Sequence, residues 1–254
     1  MEQRVNNNCN SRLCGNDLRI ENSQLLSQRD GLPFIIGTVH SAACLKRLAK
    51  RPQEIFQEID LLEARLDSLP YKLLPSEWPL PVIATARHPA EGGAENLTLG
   101  ERRRLLEESL PWALGIDVEL RSANQFTSTI AHAKKQKRFV ICSFHDFQTV
   151  PSLARLERMA FSAQEAGADL FKVACEIRSE EELLRLLAFQ SMPSAELPIA
   201  TMGMGEGGKL SRLLLPLLGS VLSYGWLYQP QVEGQWSARD ISRHLHFLRK
   251  IETS

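Results

Sequence analysis

The chain has 254 residues, of which 43% are hydrophobic and 24% are charged, and its 30 basic residues balance its 30 acidic residues. This length and apolar content suffice for one large core, and α/β barrels commonly take about 250 residues as a single domain. The neutral balance gives no indication of a nucleic-acid or anionic-membrane partner. No apolar run approaches the roughly 20 residues of a membrane span.

The N-terminal region is polar. Residues 1–16 are rich in asparagine and lack the apolar core of a secretory signal, which predicts a disordered extension before a single domain over residues 17–254. We expect a short hairpin within residues 18–30. The five cysteines include no CxxC pair, and this usage predicts a reduced, cytoplasmic protein without a metal site.

From residue 33 onward, apolar runs alternate with helical patterns. Most of the runs are continuously apolar, which is typical of parallel strands that are covered on both faces. The predicted strands are 33–39, 59–66, 81–87, 116–120, 138–145, 170–177, 198–204 and 220–226. The predicted helices are 97–114, 126–136, 152–167, 179–190, 209–219 and 237–252. Eight strand–helix units favour a closed (β/α)₈ TIM barrel over an open doubly wound sheet, and no dinucleotide fingerprint follows the first strand.

The second unit of this barrel is expected to be short. The segment DSLPYKLLPSEWPL (67–80) contains three prolines and leaves room for only a turn or two of helix. Elsewhere the helix boundaries carry the usual signals. Ser152 and Ser179 are predicted N-caps, the second in a capping-box pattern with Glu182, and Gly167 and Gly219 are predicted to end helices.

Lys172 lies within an apolar run of a predicted buried strand, between Phe171 and Val173. Burying an unpaired ammonium costs several kcal/mol or more, so such a group tends to lose its proton. A neutral amine attacks a ketone to form a Schiff base, and we expect Arg65 and Arg87 to be the neighbouring cations that favour the neutral form. An edge strand, or a lysine stem reaching to water, explains the segment equally well.

Polar side chains gather at the carboxyl ends of the predicted strands, where barrel enzymes place their active sites. His145 ends the fifth strand, and a structural role for this histidine stays open. Structural ion pairing is an alternative for Glu63 with Arg65, and it carries at least equal weight for Asp117 and Glu119. The loop GMGEGGKLS (203–211) imitates a phosphate-binding loop but has Leu210 where the magnesium ligand is required, so we reject a nucleotide site and keep phosphate binding as a minor alternative.

Together these segments resemble the type I 3-dehydroquinate dehydratases. The resemblance covers the chain from about residue 18, and its motifs occur in the order of that family. They are EAR (63–65), TARHPAEGG (85–93), DVEL (117–120), SFHDF (143–147), GADLFKVA (167–174) and TMGMGEGGKLSR (201–212). The resemblance implies a cofactor-free (β/α)₈ barrel, usually a homodimer, that converts 3-dehydroquinate to 3-dehydroshikimate in the shikimate pathway.

The resemblance also implies residue roles. Lys172 matches the Schiff-base lysine, His145 the general acid and base, Glu91 the acid that orients this histidine, and Arg212 the arginine that grips the substrate carboxylate. The lid of the family reads roughly Ser-Ala-Pro-Gly-Gln, and here Gln231 and Glu233 replace the serine and the proline. We expect a lid carboxylate to weaken the binding of an anionic substrate unless it points outward. The remaining matches line the substrate pocket: Thr38, Glu63, Arg65, Arg87 and Gln235.

Two other functions remain open. Another Schiff-base barrel, a class I aldolase, would share the lysine of the sixth strand and would be recognised by retro-aldol activity on sugar phosphates. A non-catalytic descendant that binds a metabolite or a partner protein is favoured slightly by the altered lid. The retention of Lys172, His145, Glu91 and Arg212 argues against the descendant.

Overall fold

The computed structural model describes residues 25, 27–51, 53, 55, 58–94, 96–192, 197–230 and 234–252. Its strands are β1 (Phe34–Val39), β2 (Leu61–Arg65), β3 (Val82–Thr85), β4 (Gly115–Glu119), β5 (Phe139–Asp146), β6 (Leu170–Glu176), β7 (Ile199–Met204) and β8 (Leu222–Trp226). Its α-helices are α1 (Ala42–Lys50), α2 (Leu99–Ser109), α3 (Thr127–Lys135), α4 (Leu153–Glu165), α5 (Glu180–Ser191), α6 (Gly208–Leu217) and α7 (Ala238–Glu252). Short 3₁₀ helices span Tyr71–Leu73, Pro89–Glu91 and Leu120–Phe126.

The strands form one eight-stranded sheet in the order β7-β6-β5-β4-β3-β2-β1-β8, and the seven ladders in this order are parallel. The ends of the sheet meet where the Val221 N–H donates to the Ile199 carbonyl over 3.3 Å. Beside this contact, Ser220 Oγ accepts the Thr201 N–H at 3.0 Å. The sheet is therefore a nearly closed barrel, as the run of strand–helix units predicts.

All eight predicted strands are confirmed, with ends within two residues or so of the expected ones. The shortened second helix is also confirmed. Between β2 and β3, the only helix in the part of the chain that the structure describes is the 3₁₀ turn at Tyr71–Leu73, which follows Pro70 directly. Proline lacks a donor N–H and fixes its own φ angle, so this segment cannot extend a helical ladder.

Most of the predicted helix ends are correct, but the helix predicted over 97–114 ends at Ser109. Gly167 and Gly219 adopt φ angles of 86° and 101°, in the left-handed region that favours glycine after a helix. Ser179 accepts the Glu182 N–H, but the Glu182 carboxylate accepts the N–H of Arg178 instead of completing a capping box. Ser152 is the N-cap residue of α4, as predicted, although its hydroxyl makes no capping hydrogen bond.

Apolar side chains fill the barrel at the amino ends of its strands. Ile36, Leu61, Ile83, Phe139 and Ile141 are each at most 1% exposed and belong to one interior cluster. They lie near the amino ends of their strands, so the open space of the barrel is confined to the carboxyl ends, where the polar residues are. None of the described helices is long and apolar enough to cross a bilayer.

Several predictions fall outside the described residues. They are the disordered extension over 1–16, most of the hairpin over 18–30, and the lid substitutions at Gln231 and Glu233. Of the hairpin segment, the structure shows an antiparallel bridge between Arg29 and Leu32.

Candidate active site

One cavity of about 520 Å³ opens at the carboxyl ends of the strands. Every site residue predicted from the sequence lines it. The parallel register explains the convergence, because Thr38 pairs with Glu63 across β1 and β2 and Ser143 pairs with Lys172 across β5 and β6. Residues near the carboxyl end of each strand therefore reach the same mouth of the barrel.

Lys172 points into the barrel. Its neighbours Phe171 and Val173 belong to the cluster between the sheet and the outer helices, as strand alternation requires. Strand β6 is paired on both sides, which excludes the edge-strand interpretation. The residue is only 2% exposed, which excludes a stem that carries its amine to bulk water.

The Lys172 ammonium lies among acidic and aromatic groups. Its Nζ donates to Asp117 Oδ2, lies 3.9 Å from Glu63 Oε1, and sits 4.4 Å from the centre of the Tyr224 ring. Its recorded ion pairs are with carboxylates, whereas the sequence predicts Arg65 and Arg87 as its charged neighbours. Arg87 does lie beside the amine, because its Nη2 binds the same Asp117 oxygen, but Arg65 and Arg87 are both held by carboxylates. The amine must leave Asp117 and lose a proton before it can attack a carbonyl.

Asp117 joins Lys172 to Arg87. Its Oδ1 lies 3.1 Å from Arg87 Nη1 and 2.5 Å from Ser143 Oγ, and its Oδ2 lies 2.9 Å from Arg87 Nη2. Burial acts to raise the pKa of this carboxyl, but the charges of Arg87 and Lys172 lower it well below the usual range. Glu119 likewise binds Arg87, at 3.3 Å. The expected ion pairing of Asp117 and Glu119 is therefore confirmed.

His145 and Glu91 form a second pair at the mouth. Glu91 Oε2 lies 3.0 Å from both the backbone nitrogen and the Nδ1 atom of His145. Burial and the nearby Glu119 raise the pKa of Glu91 to about 7. Burial, followed by the charges of Arg87 and Lys172, holds the pKa of His145 well below its usual range. The imidazole is thus neutral, and with Nδ1 at Glu91, Nε2 is the nitrogen that can exchange a proton.

Arg212 differs from the other two arginines of the cavity. Arg65 donates from Nε and Nη2 to the Asp67 carboxylate, at 2.9 and 2.8 Å, and Arg87 is held by Asp117. Arg212 donates to the carbonyl oxygens of Gly203 and Tyr224, and no contact with a carboxylate is recorded for it in the described ranges. Burial lowers its pKa to about 10. A buried guanidinium without a counter-charge is suited to an incoming anion.

The remaining predicted residues form the polar rim. Glu63 accepts hydrogen bonds from the hydroxyls of Thr38 at 3.2 Å and Thr85 at 3.0 Å, which fixes its carboxylate in the barrel. Gln235 reaches the cavity from the segment before α7, and its backbone carbonyl accepts the Trp226 indole N–H at 3.2 Å.

Sequence reasoning missed some residues of this region. Met202 and Met204 alternate inward on β7 and form an apolar wall, and Tyr224 lies beneath the lysine. Asp67 lies two residues beyond Arg65, as Arg65 does beyond Glu63, and this spacing could have placed it on the same face of the strand. His40 lines the mouth, but no pattern in the sequence distinguishes it from the other histidines.

The cavity combines an amine, a neutral imidazole held by a carboxylate, an apolar wall, and a guanidinium whose recorded partners in the described residues are backbone carbonyls. An amine activates a ketone, an imidazole moves a proton, and a guanidinium binds a carboxylate. The arrangement therefore suits proton removal next to the carbonyl of a keto acid.

Comparison with known proteins identifies a family for this chain. The model of the family described as Type I 3-dehydroquinase matches residues 41–252. The 3-dehydroquinate dehydratase of Methanothrix thermoacetophila is 31% identical over 85% of this chain and 92% of its own length. That of Aromatoleum aromaticum is 31% identical over 82% of this chain and 86% of its own length.

Among solved structures, the type I 3-dehydroquinate dehydratase of Clostridium difficile, with covalently modified comenic acid, superposes with a TM-score of 0.77. It is 27% identical, and the match covers 87% of this chain and 94% of that one. The matched region includes every residue of the cavity except Thr38 and His40, which precede it in the family model. The chain belongs to the type I 3-dehydroquinase family.

Proposed function

We propose that this cavity dehydrates 3-dehydroquinate to 3-dehydroshikimate through a Schiff base on Lys172. The observation that carries the proposal is the placement of a buried amine and a neutral imidazole on adjacent strands of one cavity. Lys172 projects from β6 and His145 from β5, in a register where Ser143 faces Lys172. The same cavity presents Arg212, whose guanidinium has no recorded acidic partner in the described residues.

Arg212 binds the carboxylate of the substrate. The guanidinium groups of Arg65 and Arg87 already bind Asp67 and Asp117, so a carboxylate would have to displace a buried ion pair to bind either of them. A bidentate pair with Arg212 also places the ring of the substrate at a fixed distance from Lys172. The hydroxyl groups of the substrate meet the other polar side chains of the cavity: Thr38, Glu63, Arg65, Arg87 and Gln235.

Lys172 then activates the ketone. Its neutral amine attacks the carbonyl carbon, a carbon–nitrogen bond forms, and the carbonyl oxygen leaves as water after it has been protonated. The resulting iminium accepts the electron pair of the adjacent carbon–hydrogen bond far better than a ketone does. Asp117 and Glu63 lie within 4 Å of Nζ, so the positive charge of the iminium forms next to carboxylates that are already in place.

His145 moves the protons. Its neutral Nε2 takes the proton next to the iminium carbon, and the resulting enamine expels the β-hydroxyl group. The same imidazole returns its proton to that hydroxyl, which leaves as water, and hydrolysis of the conjugated imine frees the product and Lys172. Glu91 holds Nδ1 at 3.0 Å and so keeps the ring in one orientation throughout.

A turnover assay tests this proposal. Purified protein is mixed with 3-dehydroquinate, and the ultraviolet absorbance of the conjugated enone product is followed. We expect turnover by the wild type and none by Lys172→Ala. Absence of turnover, with binding retained, would favour a non-catalytic descendant, and cleavage of sugar phosphates would favour an aldolase.

We further propose a cytoplasmic homodimer. Support for the compartment comes from Cys44, Cys142 and Cys175, which are buried free thiols. Support for the dimer comes from the usual assembly of the family. Light scattering during size-exclusion chromatography tests it, and a mass of one chain would contradict it.

A further inference from the structure

Asp67 is a buried carboxylate next to the cavity, and it holds two separate parts of the site. It follows β2, two residues beyond Arg65, and its side chain is 0% exposed. Oδ1 accepts Arg65 Nε at 2.9 Å and the Arg87 N–H at 3.1 Å. Oδ2 accepts Arg65 Nη2 at 2.8 Å and the Ala94 N–H at 3.0 Å. Each oxygen therefore binds one guanidinium nitrogen and one backbone N–H.

The two backbone donors delimit the loop that carries Glu91. Arg87 begins this segment and Ala94 ends it, so Asp67 ties the two ends of the loop to one point. Arg65 adds a third attachment, because its Nη2 also donates to the Gly92 carbonyl at 2.8 Å. Gly92 directly follows Glu91 and has a φ of 85°, a conformation that favours glycine.

Glu91 depends on this loop for its place at His145. Its Oε2 lies 3.0 Å from the ring and from the backbone nitrogen of His145, so a small movement of the loop would break both contacts. A misplacement of about 1 Å at a catalytic group can cost on the order of 100-fold in rate. Asp67 is not among the residues that line the cavity in the described part of the chain, so it acts through its neighbours.

We propose that Asp67 is a positioning residue, which holds Arg65 at the cavity wall and holds the 87–94 loop so that Glu91 meets His145. This inference rests on the proposed function, since it assigns Asp67 to the groups that bind substrate and move protons. It predicts that a change at Asp67 affects both substrate binding, through Arg65, and the proton-transfer step, through Glu91.

The isosteric variant Asp67→Asn tests this role. An amide has one acceptor oxygen, which can serve two of the four donors, so the other two lose their partner. We expect KM to rise and kcat to fall, each by about tenfold or more. Because the pKa of Glu91 is about 7, we expect kcat to change with pH near 7. A loosened loop exposes Glu91 to water, which lowers this pKa, so the change in kcat should move to lower pH. The variant does not alter the charged and titratable groups that face Glu91, which are Glu119, Arg87, Arg121 and His145.

Asp169→Asn is the matched control. Asp169 also combines a basic partner, Lys134, with a backbone donor, the Val140 N–H at 2.9 Å, but it lies at the opposite end of the barrel. We expect its kcat, KM and pH profile to stay within about twofold of the wild type. A folded Asp67→Asn protein that also stays within this range would overturn the positioning role. Turnover by the wild type in the same assay decides the proposed function separately.

Arg65→Lys covers the case in which Asp67→Asn does not fold. A lysine cannot bind Asp67 through a fork and reach the Gly92 carbonyl at once. We expect a lower kcat and a higher KM. The pH at which kcat changes should also fall, as in Asp67→Asn. A change in KM alone would mean that Arg65 contacts substrate without holding the loop, and the proposal would fail.

Discussion

Nδ1 of His145 lies 3.0 Å from Oε2 of Glu91, and the same oxygen accepts the His145 backbone N–H at 3.0 Å. One carboxylate therefore fixes both the ring and the strand end that carries it. The imidazole cannot rotate away from the cavity without giving up a buried hydrogen bond. This contact leaves Nε2 as the nitrogen that can exchange a proton. Mutation of His145 therefore tests proton transfer, and mutation of Glu91 tests the orientation of the ring.

Loss of the imidazole should remove turnover but not binding. His145→Ala leaves Arg212 and Lys172 in place, so we expect KM to change little and kcat to fall by about 10²–10⁴-fold. Steady-state kinetics measure both values. His132→Ala is the control, because His132 pairs with Glu107 at 2.5 Å on the exposed surface, and it should keep full activity. A His145→Ala enzyme with near-normal kcat would remove this residue from the mechanism.

Neutralising Glu91 should stabilise the fold at neutral pH while lowering activity. The pKa of Glu91 is raised from 4.5 to about 7, so the folded protein binds its proton more tightly than the unfolded chain does. Stability is therefore lost as the pH rises from 4.5 towards 7, and the loss is complete above that range. We expect Glu91→Gln to remove a penalty of up to about 3 kcal/mol.

Urea unfolding at several pH values measures this effect. The free energy of unfolding of Glu91→Gln should exceed that of the wild type at about pH 8 and should match it at about pH 4. An equal difference at every pH would show that the variant acts through packing and not through the proton of Glu91.

The charge and the fork of Arg212 should both be needed for binding. Arg212→Lys keeps the charge but loses the planar pair of donors, so we expect KM to rise by about 10- to 100-fold with a smaller change in kcat. Arg103→Lys is the control, because Arg103 also donates to a backbone carbonyl, that of Gln125, but lies outside the barrel. If the two variants had the same KM, the carboxylate of the substrate would have to bind elsewhere.

Asp117 should contribute far more to stability than a surface acid does. Asp117→Asn leaves the buried charges of Lys172 and Arg87 without their main partner, and breaking such a pair costs about 3–5 kcal/mol. Glu176→Gln breaks an exposed pair with Arg178 and should cost less than about 1 kcal/mol. Chemical denaturation gives both values, and equal costs would contradict the network described for Lys172.

The sequence was sufficient for the barrel because parallel strands leave a strong local signal. Continuous apolar runs such as those of β5 and β6 identify strands that are covered on both faces. The same regularity located the site, since a polar residue near the carboxyl end of a barrel strand has one destination. Lys172 and His145 were recognisable on this ground alone.

Contacts that join distant segments were not accessible in this way. Asp117 is 55 residues from Lys172, and only the curvature of the sheet brings its carboxylate across the barrel to the amine. Asp67 binds backbone N–H groups of a loop, and a backbone donor leaves no mark in a sequence. The charge pattern predicted arginines near Lys172, but it could not reveal that carboxylates hold Arg65 and Arg87 first.

Reduction of the Schiff base tests the central claim most directly. The protein is incubated with 3-dehydroquinate and borohydride, digested, and analysed by mass spectrometry of the peptide that contains Lys172. We predict a ligand-derived mass on Lys172 that requires both substrate and reductant and that is absent from Lys172→Ala. Unlabelled protein, or label on another lysine, would contradict the account.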